Sequence, residues 1–192
     1  MRHQRAAWQA KIKAGQLPVE RLVFVDESGV NASMTRLYAW AERGKRAYGH
    51  VPKNWGENVT ILNALGVEGP LASMHLPGAT DGEVFLAFVQ RVLVPALPPK
   101  AIVVMDNLGA HRMAAVGEHL AKAAAELHYL PPYSHDFNPM EQAWSKVKSL
   151  MRKASARTST TLKRAIAQAL QSISTQDARA YFTHCGYGLP KH

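Results

Sequence analysis

Two fully apolar runs of strand-forming residues constrain this chain more than any other feature. Leu22-Val23-Phe24-Val25 stops at Asp26-Glu27-Ser28-Gly29, and Ala101-Ile102-Val103-Val104-Met105 stops at Asp106-Asn107-Leu108-Gly109. Continuous apolar strands are buried on both faces, so the sheet that holds them must be covered by helices on each side. Between the runs lies a hairpin, Asn58 to Leu65 against Leu71 to Leu76, turning at Gly66 and Gly69-Pro70. Thr80 with Glu83 three residues on reads as a capping box, and Val84, Phe85, Phe88, Val89 and Val92 follow at helical spacing. A helix from about Arg112 to Ala125 and a strand from Leu127 to Leu130 come after the second run. The expected fold is α/β, a mixed central sheet flanked by helices in which an antiparallel hairpin stands beside parallel strands.

The chain has 192 residues, of which 47% are hydrophobic, enough for one substantial core. No apolar run approaches the roughly 18 to 20 residues that cross a bilayer, and the N-terminus opens basic and polar, which removes the membrane and signal-peptide classes. A single cysteine, Cys185, rules out an intramolecular disulfide or a multi-cysteine zinc site. It fits a reducing compartment, the cytoplasm. Cys185 is not expected to act as a nucleophile. No glycine-rich phosphate loop is present, which disfavours a nucleotide cofactor.

The net charge of +9 points towards a polyanionic partner, and its distribution sharpens this. Residues 1–21 carry five Lys/Arg against one acid and residues 142–192 carry nine against Asp177, whereas residues 22–141 are mildly acidic. Three segments are expected: a basic lead-in, 1–21, interrupted by Gly15 and Pro18; an α/β domain, 22–153; and a helical basic tail, 154–192. The tail contains a Ser/Thr-rich connector and a last helix from about Leu162 to Ile173.

Chemistry concentrates on three acids. Asp26 and Asp106 each end an apolar strand, so parallel neighbours would bring both to one sheet edge, where sites gather in α/β folds. Asn138-Pro139 opens a further helix, with Asn as N-cap and Pro in the first turn, which places Glu141 at a helix start. Met140, Trp144, Val147 and Met151 form its apolar face, while Glu141, Ser145, Lys148 and Arg152 line another. Each acid also has a plain structural reading, as turn former or as helix cap. Converging carboxylates without histidine or cysteine partners suit hard cations such as Mg²⁺ or Mn²⁺ and phosphoryl-transfer chemistry. His111 and His135 lie near these acids as ligands, proton shuttles or ordinary surface groups, and Asp136 reads as a turn former. Glu27 must point to the face of the strand opposite Asp26.

These residues resemble the catalytic domain of mariner-like transposases, in particular the bacterial insertion-sequence branch with an aspartate, aspartate, glutamate triad. The likeness rests on Phe24-Val25-Asp26-Glu27-Ser28-Gly29, on Val104-Met105-Asp106-Asn107-Leu108-Gly109-Ala110-His111, and on the stretch from Leu130 through Pro131-Pro132-Tyr133-Ser134 and Asn138-Pro139-Met140-Glu141 to Lys146. Thirty-four residues separate Asp106 from Glu141, an interval common in that superfamily. The resemblance implies a ribonuclease H-like fold, with a pair of Mg²⁺ or Mn²⁺ ions held by Asp26, Asp106 and Glu141. It implies cleavage of DNA at transposon ends, strand transfer into target DNA, a homodimer when active and a nucleoid-associated location. Lys146, Lys148 and Arg152 would contact the DNA backbone.

Where the family usually writes Tyr-Ser-Pro-Asp-Leu-Asn-Pro, this chain has His135 and Phe137 around Asp136. The 21 residues before the first strand are too few for the helix-turn-helix modules the family uses, so the chain is expected to be one product of a split reading frame with a separate polypeptide for end recognition, a fragment, or a decayed copy. Two other functions stay open: an inactive DNA-binding remnant of a transposase, and a ribonuclease H-like nuclease without strand transfer.

Overall fold

A computed structural model describes residues 2–54 and 56–188. Helix α1 (Arg2–Lys13) precedes strand β1 (Leu22–Asn31), which is followed by β2 (Asn58–Gly66) and β3 (Gly69–Pro77). Helix α2 (Gly82–Phe88) runs through a π-helical turn (Val89–Leu93) into α3 (Val94–Ala96) and crosses over to β4 (Ile102–Met105). Then come α4 (Ala114–Lys122), β5 (Glu126–Tyr129), α5 (Met140–Ala154), α6 (Ser159–Gln171) and α7 (Thr175–His184). The sheet order is β3-β2-β1-β4-β5. β1 and β2, and β2 and β3, pair antiparallel; β1 and β4, and β4 and β5, pair parallel. The mixed sheet expected from the sequence is present.

Strand alternation divides the interior into two layers. Leu22, Phe24, Ile61, Leu65, Ile102 and Val104 face one way, against Met140, Trp144, Val147 and Met151 of α5 and apolar residues of α6 and α7. Val23, Val25, Leu62, Val103 and Met105 face the other way, against Phe85 and Phe88 of α2, the π turn and α4. Trp8 of α1 and Tyr187, near the other end of the described chain, both belong to the first layer, so the flanking segments share the central core. Among the described residues, no helix is long and apolar enough to cross a membrane.

Several local expectations are corrected. β1 does not stop at Val25 but continues to Asn31, because β2 pairs with it along the whole stretch from Phe24↔Leu65 to Asn31↔Asn58. The crossover helix is capped by Asp81, whose carboxylate accepts the Val84 N–H at 2.9 Å, and the buried Thr80 hydroxyl has no partner among the described residues. The helix expected at Leu162 to Ile173 is not the last one. Ser174 and Asp177 form a capping box that starts α7, a helix not separately recognised in the sequence. Between β1 and β2, residues 32–54 contain neither helix nor strand and expose Leu37, Tyr38, Trp40, Tyr48 and Val51.

Candidate active site

The parallel pairing of β1 with β4 ends at Phe24↔Val104, so Asp26 lies two residues beyond it and Asp106 directly follows β4. Asp26, still within β1, and Asp106 therefore lie at the same end of the parallel pair. Glu141 arrives from the first turn of α5, and all three line one cavity of about 460 Å³ together with His135, Asn138 and Tyr133. Asp26 shares the strand face of Phe24, under α5, and Glu27 lies on the opposite face as alternation requires.

Asp26 is held by three donors. Its Oδ1 accepts the Glu27 N–H at 2.8 Å, and its Oδ2 accepts Asn138 Nδ2 at 3.0 Å and Trp144 Nε1 at 3.2 Å. Asn138 is thus more than the helix-start residue read from the sequence. Its Oδ1 accepts the Met140 N–H at 3.1 Å, while its amide nitrogen ties the helix entrance to Asp26. Burial pushes the Asp26 carboxyl up to about 6, and the negative charges of Asp106 and Glu141 push the same way against the hydrogen bonds from Glu27 and Asn138. Asp26 therefore sits in a place that penalises its own charge unless a cation is near.

Asp106 behaves differently. Burial works to raise its pKa, but the hydrogen bond from His111, the Leu108 N–H and the charges of His111 and His135 outweigh this and the net shift is downward. His111 Nδ1 lies 2.6 Å from Asp106 Oδ1, and the ring is buried, packed 4.3 Å from the Phe85 ring. The surface-group reading of His111 is therefore wrong, since the 3₁₀ turn Ala110–Arg112 folds the imidazole inward behind Asp106. His135 stays exposed, with Nδ1 3.0 Å from Glu141 Oε1. Cys185 is buried, and desolvation pushes its thiol up to about 12, which keeps it unreactive.

Oxygen donors from three different elements match the preference of a hard divalent cation, and the charge penalty at Asp26 is what such a cation would relieve. Among the described residues, no three Asp, Glu, His or Cys side chains already stand close enough to share one ion. Glu141 is turned to His135 and would have to exchange that partner for a cation.

The three basic residues of α5 expected to contact DNA divide into two kinds. Lys146 Nζ donates to Asp177 Oδ2 at 2.7 Å and to the Ser172 carbonyl at 2.8 Å, joining α5 to the start of α7. The hydrogen bond from Lys146, with those from Ser174, holds the Asp177 carboxyl down at about 2. Lys148 and Arg152 are partly exposed, and among the described residues neither forms an ion pair. Sequence reading also missed Asn63. It pairs with Asp26 in the β1–β2 register, and it is buried with its Oδ1 unpartnered. The only signal was one polar residue inside the apolar stretch Ile61 to Leu65.

A family model described as DDE superfamily endonuclease matches residues 21–163. The chain belongs to the DDE endonuclease superfamily. Among solved structures, a pre-cleavage Mos1 transpososome superposes on this DDE domain with a TM-score of 0.74 at 16% identity, covering 95% of this chain and 57% of that one. A mariner Mos1 paired-end complex with Mg gives 0.70 at 17% identity, covering 96% and 57%. The Mos1 catalytic domain by itself gives 0.67 at 14% identity, covering 96% and 85%. At these identities the likeness establishes a shared fold, which is the ribonuclease H-like architecture expected from the sequence. The DDE domain spans less than two thirds of the length of the transposases in the two complexes. No curated protein matches the chain by sequence.

Proposed function

We propose that this chain is the catalytic part of a transposase that cuts DNA at transposon ends and joins the freed 3′ end to target DNA. The observation that carries the reading is the convergence of Asp26, Asp106 and Glu141, from β1, the end of β4 and the start of α5, on one cavity in a DDE superfamily fold. In this reading the three acids hold a pair of Mg²⁺ or Mn²⁺ ions, which when bound activate the attacking oxygen and stabilise the leaving one. Asn138 and Trp144 orient the Asp26 carboxylate, and His111 orients that of Asp106. Both hydrolysis and joining are in-line displacements at phosphorus, so one set of positioned carboxylates serves each in turn.

DNA is the partner, with Lys148 and Arg152 contacting phosphates along the exposed side of α5. Helix-turn-helix modules supply end recognition, and the active form is a homodimer, whose partner copy would cover the apolar side chains exposed on 32–54. The protein works in the cytoplasm at the nucleoid. The test is incubation with a pre-cut transposon-end oligonucleotide and target plasmid: joined product that requires Mg²⁺ or Mn²⁺ supports the reading, whereas cleavage restricted to RNA–DNA hybrids contradicts it.

Two consequences concern individual side chains. Replacing His111 by Ala lowers the nicking rate about 10-fold by loosening Asp106, measured at saturating Mn²⁺ on supercoiled plasmid. Lys148→Ala and Arg152→Ala each lower the slope of log DNA affinity against log salt by about one, whereas Lys146→Ala leaves that slope unchanged and costs about 1 kcal/mol of stability. Salt titrations and denaturant unfolding of the three variants separate the two behaviours.

A further inference from the structure

The loop leading into Glu141 has two sides. On one side it serves the candidate site, through His135 against Glu141 and Asn138 against Asp26. The other side is gripped by residues outside the span that the family model matches. Arg5 of α1 forms a two-pronged contact with Asp136, Nη1 to Oδ1 and Nη2 to Oδ2, both at 2.8 Å. The same Nη1 donates to Ser134 Oγ at 2.9 Å and to the Tyr133 carbonyl at 3.4 Å, and the guanidinium lies 4.7 Å above the Phe137 ring. One turn on, Trp8 Nε1 donates to the Tyr187 hydroxyl at 3.0 Å, and that hydroxyl donates to the Phe137 carbonyl at 2.8 Å.

The loop needs holding. Tyr133 adopts a left-handed backbone with φ of 54°, a conformation that costs a non-glycine residue free energy and persists only where surroundings enforce it. A single exposed ion pair contributes little. Arg5 is different because its planar fork engages a carboxylate, a hydroxyl, a backbone carbonyl and an aromatic face at once, which an ammonium group cannot reproduce.

We propose that Arg5 is a positioning residue for the active site, holding the loop from Tyr133 to Asn138 so that Asn138 meets Asp26 and Glu141 enters the cavity. The role rests on the reading of Asp26, Asp106 and Glu141 as the metal-holding acids, and it makes α1 a working part of the site although it contributes no group to the cavity.

The test follows hydrogen exchange and Mn²⁺ dependence in the full chain for Arg5→Ala and Arg5→Lys. In Arg5→Ala and Arg5→Lys, the Phe137 and Asn138 amides, which donate to Ser134 and His135, exchange about 10-fold faster, and the Mn²⁺ concentration for half-maximal nicking rises about 10-fold. The Val103 and Val104 amides of β4 keep their protection. Unchanged loop exchange in Arg5→Ala overturns the proposal. So does rescue by lysine, or loosening of β4 together with the loop, since either makes Arg5 a general structural residue. If wild type does not nick at all, the functional reading fails, while loop exchange still decides whether Arg5 holds the loop.

Discussion

Asp106→Asn and Glu141→Gln each lower metal-dependent DNA cleavage by at least about 1,000-fold while leaving the fold intact, because each removes a charged ligand whose cation supplies several kcal/mol of transition-state stabilisation. The two substitutions are mild for the protein itself. An asparagine at 106 still offers an oxygen to His111 and to the Leu108 N–H, the two contacts that hold Asp106 now. Glu141 is exposed, and among the described residues its side chain hydrogen-bonds only with His135. Cleavage rates measured beside circular dichroism and thermal unfolding separate lost chemistry from lost structure. Cleavage within a few-fold of wild type in either variant removes that acid from the site.

Asp26 carries the second large effect, and it acts on stability. Its carboxyl is raised from an ordinary value of 3.8 to about 6, so between those values the folded state binds more protons than the unfolded chain. Stability contributed by the neutral form is complete below about pH 4 and is lost as the pH rises through 6. The shift corresponds to at most about 3 kcal/mol. Asp106, Asp136 and Asp177, with lowered values, act in the opposite sense on the whole protein. The comparison is therefore between wild type and Asp26→Asn at each pH in EDTA. The variant gains up to about 3 kcal/mol relative to wild type between pH 4 and pH 7, on top of a constant cost for the hydrogen bond from Glu27 that an amide cannot accept in the same orientation. Adding Mg²⁺ or Mn²⁺ at pH 7 closes the gap by stabilising wild type alone. A stability difference that stays flat with pH contradicts the charge penalty at Asp26.

Much of this molecule was legible because its sheet is written in unbroken apolar runs. Val23 to Val25 and Ile102 to Met105 needed no tertiary information to be read as buried parallel strands, and the hairpin and α5 followed from turn residues and helical spacing. The acids at the strand ends were visible for the same reason. What escaped was whatever depends on partners distant in sequence. Asp26 to Gly29 looks like a turn until β2 supplies its ladder, and His111 looks like a loop histidine until Phe85 and Asp106 enclose it. Lys146 looks like one of three DNA-contacting cations until α7 presents Asp177. Arg5 was simply one of five positive charges in a polar lead-in, and its loop partners are about 130 residues away. The roles of Asn138 beyond the helix start and of Asn63 beside Asp26 likewise exist only once the strands and α5 are assembled.

The central claim is that three acids make this DDE domain a metal-dependent DNA-cutting site. Nicking of supercoiled plasmid by wild type and Asp106→Asn, each with Mn²⁺, Mg²⁺ or EDTA, tests it most directly. The account predicts nicked plasmid only for wild type with a divalent ion. Nicking that persists in EDTA, or that Asp106→Asn performs at the wild-type rate, would contradict it.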